Sequence, residues 1–121
     1  MTERIQLRRT KGWRMPPNTV KVARPTSWGN PFRTGDRAAD VAAYERCVST
    51  WPVPHENLAA WQEAGGSTVM LVFLAARVQT ILASLRDKNL ACWCPLVDEN
   101  GDRVPCHADV LLALVSTTFG D

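Results

Sequence analysis

Two short apolar segments, far apart in the chain, constrain the fold more than any other feature. Thr19–Ala23 is rich in β-branched residues, and Asn89–Trp93 has the length and apolar character of a buried strand. The residues between them show helical spacing, so a helical crossover can join the two segments in parallel. The sequence therefore predicts an α/β fold in which Val20–Ala23 and Leu90–Trp93 are neighbouring parallel strands.

The remaining elements complete the order β-β-α-α-α-β-α. Alternating apolar and polar residues predict a half-exposed strand over Ile5–Arg9. Helices are predicted from near Asp36, whose carboxylate can cap the first of them, over His55–Ala64, from Ser67 to about Leu85, and from Cys106 or His107 onward. The pattern is typical of a small α/β sandwich: one domain over residues 1–121, with a short, partly parallel sheet, helices packed on it and no linker.

The spacing of apolar residues also predicts the core. Val41, Tyr44, Val48 and Trp51 recur at helical spacing and are expected to form the buried face of the first helix. Trp61 is expected to be a core residue as well. With 45% apolar residues, the chain can bury a core of the usual size.

Most of the chemistry-bearing side chains lie in two short motifs, Cys92-Trp93-Cys94 and Cys106-His107. Thiolates and imidazole are the ligands that zinc prefers, so Cys92, Cys94, Cys106 and His107 could form a Cys3His site. Two features count against this interpretation. The C-x-C spacing is tighter than is common in zinc sites, and the adjacent Cys106 and His107 need a bent backbone to face one ion.

Two other interpretations of the same residues stay open. Cys106 at a helix N-terminus could be a reactive thiolate, with His107 and Asp109 as its catalytic partners. Alternatively, the cysteines are small buried residues at a strand end and a helix start.

The loop between the second strand and the first helix is a second candidate site. Arginines bind phosphate or carboxylate, tryptophan offers a flat face for a base, and glycine allows close approach of a ligand. The candidate ligand-binding residues are Arg24, Ser27, Trp28, Gly29, Asn30 and Arg33. In the alternative interpretation, Trp28 and Phe32 fill the core beneath a structural loop and Asn30 holds its turn.

Charge is unevenly distributed along the chain. Residues 1–37 hold nine basic side chains against two acidic ones, whereas residues 38–121 hold five against ten. The N-terminal part therefore either faces an anion, such as phosphate or nucleic acid, or forms a solvated basic face. No apolar run reaches the length of a membrane span and no signal segment is evident, so we expect a cytoplasmic protein with reduced cysteines and no membrane partner.

Four strings in the chain carry a family resemblance: Leu7–Pro16, Trp28–Phe32, Leu90–Leu96 and Pro105–Leu111. They resemble those of a family of small proteins from actinobacteria and their phages, described as domain of unknown function 4326. The resemblance covers nearly the whole chain and implies an actinobacterial or phage origin and a cytoplasmic setting. It implies no activity, so the roles suggested above rest on the residues alone.

Three functions are compatible with these features. The first is a small enzyme acting on a nucleotide or nucleic-acid base, with the loop as binding site and the cysteine motifs holding zinc or a thiolate. The second is a nucleic-acid-binding module stabilised by zinc. The third is a phage-encoded protein that binds a host protein and whose cysteines are structural.

Overall fold

The structure, a computed structural model, describes residues 2–120 and contains a sheet of three short strands. β1 spans Arg4–Gln6, β2 spans Thr19–Lys21 and β3 spans Asn89–Cys92. β3 lies in the middle and pairs in parallel with both other strands, which gives the order β1-β3-β2. The predicted parallel pairing is confirmed, with Val20 opposite Leu90.

Helices make up most of the rest of the chain. α1 spans Arg37–Val48, α2 His55–Glu63, α3 Thr68–Ala75, α4 Gln79–Leu82 and α5 His107–Phe119, and a 3-10 turn over Ala83–Leu85 follows α4. Asp36 caps α1 by accepting the Ala39 N–H at 3.1 Å, and Ser67 caps α3, as the sequence predicted. The helices before β3 form the crossover from β2, and α5 packs against β3. The predicted small α/β fold is confirmed.

The prediction of one long helix from Ser67 to Leu85 was wrong. α3 ends at Ala75, and its axis makes an angle of 99° with the helical segment Gln79–Leu85. Arg77 has a left-handed backbone conformation (φ 54°), and the N–H of Val78 donates to the carbonyl of Phe73 at 3.0 Å. This is a Schellman ending, which usually carries a glycine; Arg77 occupies that position, so composition gave no stop signal.

Helix length also bears on membrane insertion. Within residues 2–120, no single helix is long and apolar enough to cross a membrane. The bent pair of Thr68–Ala75 and Gln79–Leu85 passes the same test by length and composition only.

The core lies between the sheet and the helices and is built around large side chains. Trp61 and Tyr44 are fully buried, and their ring centroids are 5.6 Å apart. The prediction that Trp51 is buried was wrong, because its side chain is 56% exposed. α1 ends at Val48, so the helical spacing that aligned Trp51 with the buried face no longer applies there.

The carboxyl ends of the three strands meet at one edge of the sheet. There Leu7 N–H donates to the carbonyl of Cys92 at 2.8 Å, and Val22 N–H donates to that of Ala91 at 2.9 Å. The first residue of α5, His107, contacts the carbonyl of Val22 at the same edge. Ligands of open α/β sheets bind outside this edge, so it is the natural place for a functional site.

Candidate functional site

Three cysteines lie close together at the carboxyl edge of the sheet. Cys92 is the last residue of β3, Cys94 follows two residues later, and Cys106 is the N-cap of α5. Their Sγ atoms all lie within 4.8 Å of one another, and those of Cys92 and Cys94 are 3.8 Å apart. The three thiols could therefore bind a metal ion. Cys47, the fourth cysteine, is buried in the core on α1.

The backbone at Cys106 explains how adjacent residues can face the same point. Cys106 is extended (φ −152°, ψ 147°), whereas His107 begins the helix, so the chain bends between them. The Sγ of Cys106 accepts the N–H of Ala108 at 3.5 Å, which places the thiol in the capping position. The start of α5 thus supplies the bent backbone that the adjacent Cys106 and His107 need.

His107 is buried and held in one orientation. Its Nε2 lies 2.7 Å from the carbonyl oxygen of Val22, which can only accept, so Nε2 carries the proton and donates it. Its Nδ1 therefore has a free lone pair, 3.8 Å from the Sγ of Cys106 and 4.0 Å from that of Cys92. Burial lowers the pKa of His107, which favours the neutral imidazole.

The thiols influence each other's ionisation. Hydrogen bonds from Cys106 and Cys94 lower the pKa of the Cys92 thiol. The same bond with Cys92, a second with Cys94 and burial raise the pKa of Cys106. Of these two thiols, Cys92 is therefore the one that ionises more readily, while Cys106 is fully buried.

Asp109, the third predicted catalytic residue, forms ion pairs on the side of α5. Its carboxylate lies 2.8 Å from the guanidinium of Arg4 and 2.8 Å from that of Arg103. Arg4 also donates to the carbonyls of Val104, Pro95 and Leu96 at 2.7, 3.1 and 3.1 Å. Arg4 and Asp109 thus fasten residues 95–104, the loop that joins the two cysteine motifs, and sequence reasoning had not identified Arg4.

A cleft of about 770 Å³ opens beside the cysteine cluster. Its charged lining comprises one acidic residue, Asp40, and four arginines: Arg9, Arg24, Arg33 and Arg37. Cys92, Cys94 and His107 line it as well. Arg9 and Arg37 were not among the predicted site residues; the only sequence signal for them was the basic character of residues 1–37.

Six residues of the loop after β2 were predicted to bind a ligand. Two of them, Arg24 and Arg33, contribute charged side chains to the lining of the cleft. Asn30 also lines the cleft, but its buried amide holds the loop: Nδ2 donates to the carbonyl of Asp40 at 3.0 Å and Oδ1 accepts the N–H of Phe32 at 2.9 Å.

Gly29, Ser27 and Trp28 lie outside this lining. Gly29 packs against Arg24, where an added Cβ would lie 2.9 Å from Cγ of that arginine. The carbonyl of Trp28 accepts the hydroxyl hydrogen of Tyr44 at 3.1 Å, and its ring packs against the core.

Trp93 stands at the cleft between the two cysteines of the C-x-C motif. Its side chain is 39% exposed, and the guanidinium of Arg9 lies 4.7 Å from its ring centroid. The ammonium of Lys21 lies 5.8 Å from the same centroid. An exposed aromatic ring flanked by two cations is a surface on which a base can stack beside a phosphate.

Comparisons with known proteins identify the family. The family model described as Domain of unknown function (DUF4326) matches residues 5–117, which include both cysteine motifs and the whole cleft. No curated protein and no solved structure gave a significant match. Because the family model spans nearly the entire sequence, the chain belongs to the DUF4326 family.

Proposed function

We propose that the chain binds a phosphate-bearing, nucleotide-like ligand in the arginine-lined cleft, beside a zinc ion held by the three clustered cysteines. The observation that carries this proposal is the charge of the cleft. Within residues 2–120, the ion pairs are those of Asp109 with Arg4 and Arg103, so the four arginines of the cleft have no carboxylate partner. Unpaired arginines around a concave site attract an anion.

The single acid of the cleft does little to neutralise the arginines. Asp40 accepts the hydroxyl hydrogen of Thr34 at 2.6 Å and the N–H of Thr34 at 3.1 Å, so its lone pairs are engaged in the loop. Guanidinium groups offer forked donors that match phosphate oxygens. The exposed ring of Trp93 beside them would favour a ligand that also carries a base.

Zinc suits the sulfur geometry. With zinc–sulfur bonds of about 2.3 Å, two ligands of a tetrahedral site lie about 3.8 Å apart. The Sγ atoms of Cys92 and Cys94 have this separation, 3.8 Å. A reducing cytoplasm, which we propose as the setting, would leave the thiols free for the metal.

Two roles are compatible with ligand and zinc side by side. In an enzyme, the zinc would keep one coordination position open to the cleft, as the exposure of Cys94 towards it would allow. In a binding module, the zinc would be fully coordinated and the cleft would only bind. The pairing of Trp93 with Arg9 and Lys21 favours a single-stranded nucleic acid as the ligand of such a module.

Ligand titration of the zinc-loaded protein tests the proposal. We expect inorganic phosphate, a nucleoside triphosphate and a single-stranded oligonucleotide to bind in order of increasing affinity, and binding to weaken as salt rises. Arg24→Gln should reduce affinity about 10- to 100-fold, since a hydrogen bond to a charged group contributes about 1.5–3 kcal/mol. The measurement is the Kd by isothermal titration calorimetry.

The control is Arg46→Gln, which removes the same charge from the exposed surface of α1. This variant should bind as the wild type does. Equal effects of the two substitutions, or no binding of any phosphate compound, would contradict the proposal.

A further inference from the structure

We propose that His107 is the fourth zinc ligand, through Nδ1, so that the site is a closed Cys3His centre that fixes the edge of the sheet on which the cleft is built. This inference takes the zinc from the proposed function and adds the fourth ligand and its structural role. The ligand set is Cys92, Cys94, Cys106 and His107.

The distances around Nδ1 are close to those of a tetrahedral site. Zinc–nitrogen and zinc–sulfur bonds of about 2.0 and 2.3 Å place the two ligand atoms about 3.6 Å apart. Nδ1 of His107 lies 3.8 Å from Sγ of Cys106 and 4.0 Å from Sγ of Cys92. Movements of a few tenths of an ångström would bring Nδ1 to this separation from Cys106 and Cys92. A larger movement is needed relative to Cys94, because His107 lies outside the group of ligand atoms that are within 4.8 Å of one another.

The other ring nitrogen is already placed as in a zinc-bound histidine. Histidines that bind zinc usually donate their second N–H to a carbonyl or carboxylate, which fixes the tautomer and the ring plane. Nε2 of His107 donates to the carbonyl of Val22 at 2.7 Å. The nitrogen that faces the thiols is therefore the one that carries the free lone pair.

A competing fourth ligand would have to come from the cleft, as water or as part of the bound molecule. Nδ1 of His107 is fixed within the cluster by its backbone partner and by the packing of the ring edge against Tyr44, at a centroid distance of 5.3 Å. A ligand held in place before the metal arrives loses little entropy on binding. It therefore outcompetes a mobile water molecule.

The consequence is a link between the metal and the anion site. Cys92 ends β3 and Cys94 follows it, whereas Cys106 caps α5. His107, the first residue of α5, donates to the carbonyl of Val22, the residue after β2. Arg24 comes two residues after Val22 and lines the cleft. Zinc thus fixes the backbone from which Arg24 reaches its ligand.

X-ray absorption of the zinc-loaded wild type tests the ligand set without any substitution. We expect three sulfur neighbours and one nitrogen neighbour, with the outer-shell scattering of an imidazole, and a spectrum unchanged by saturating phosphate. Three sulfurs with a light neighbour that lacks imidazole scattering, or a first shell that changes with phosphate, would overturn the inference.

Substitutions give an independent test. His107→Ala should weaken zinc binding, measured by competition with a chromophoric chelator, by more than the 10- to 100-fold that loss of an outer-shell partner costs. His107→Cys should retain zinc and, with cobalt in its place, show a stronger sulfur-to-metal charge-transfer band. His55→Ala is the matched control, because His55 is the exposed histidine at the start of α2. Wild-type zinc affinity in His107→Ala would overturn the inference.

The two proposals fail separately. Three sulfurs and one imidazole without any phosphate binding would leave the metal centre standing and refute the ligand. Phosphate binding that depends on Arg24, in a protein that takes up no zinc, would leave the ligand standing and refute the metal centre.

Discussion

Arg4 is a buried cation that holds the loop between the two cysteine motifs by hydrogen bonds. Its side chain is 1% exposed, and its guanidinium bonds to three carbonyls of residues 95–104 as well as to Asp109. A guanidinium can donate to all these acceptors at once because its five N–H groups point in different directions within one plane. The compact ammonium group of a lysine could not reach all of them. Arg4 therefore positions Cys94 and Cys106 without contacting either.

Arg4→Met should lower the free energy of unfolding by about 3 kcal/mol, because it leaves the carboxylate of Asp109 and the loop carbonyls without their buried partner. Urea denaturation measures the change. Arg8→Met is the control: Arg8 is exposed just beyond β1, so its loss should change stability by no more than about 0.5 kcal/mol. An equally small effect of Arg4→Met would contradict the role given to this residue.

Among the elements, the loop from Arg24 to Arg33 combines two tasks. Asn30 and the carbonyl of Trp28 tie it to α1, so the loop is held against the core. The guanidinium of Arg24 donates to the carbonyl of Asn30 at 2.6 Å, and its aliphatic part lies against Gly29. Arg24, the side chain that would bind the anion, is therefore positioned by two residues of its own loop, Asn30 and Gly29.

Gly29→Ala should weaken phosphate binding about 5- to 10-fold, or about 1 kcal/mol, because the added methyl group displaces Arg24. The measurement is the Kd for phosphate by calorimetry. The same substitution in an Arg24→Gln background should have little further effect, since the displaced group is already gone. Additive losses in the double variant would mean that Gly29 acts through another residue.

On the scale of the whole molecule, a bound metal would join parts of the chain that lie far apart in the sequence. Its ligands come from the end of the central strand and from the start of the last helix. Binding energy at such a site adds to folding stability, because the unfolded chain does not present the ligands together. The zinc should therefore stabilise the entire α/β unit.

Removal of zinc should lower the stability of the whole domain. With free zinc at about 100 times its Kd, binding adds about 2.7 kcal/mol, and a chelator should abolish this gain. Urea unfolding with and without chelator measures it. Cys106→Ala should remove the dependence on zinc, whereas Cys47→Ala, at an equally buried thiol outside the cluster, should preserve it. A chelator effect of the same size in both variants would contradict the assignment of the metal to this cluster.

The sequence predicted those features that residue type and the order of helices and strands determine. Caps at Asp36 and Ser67 and the parallel pairing of β2 with β3 followed from residue type and pattern. The helix break did not, because the left-handed position is held by Arg77, a residue without a turn signature.

For the candidate site, residue type singled out the cysteines that the structure brings together, Cys92, Cys94 and Cys106. The contributions of Arg4, Arg9 and Arg37 depend on which distant segments meet, and an isolated arginine carries no such information. Sequence reasoning therefore found the chemistry of the cluster and missed part of its surroundings.

The central position of β3 also governs how the molecule assembles. Within the sheet, β1 and β2 each pair with β3 and not with each other. Thr19 pairs with Asn89, which lies seventy residues further along the chain. Loops of this length must close before any sheet contact forms, which slows folding. During synthesis, the basic N-terminal strands emerge long before their partner. The cleft and the cysteine cluster then form together, in the step that inserts β3 between β1 and β2.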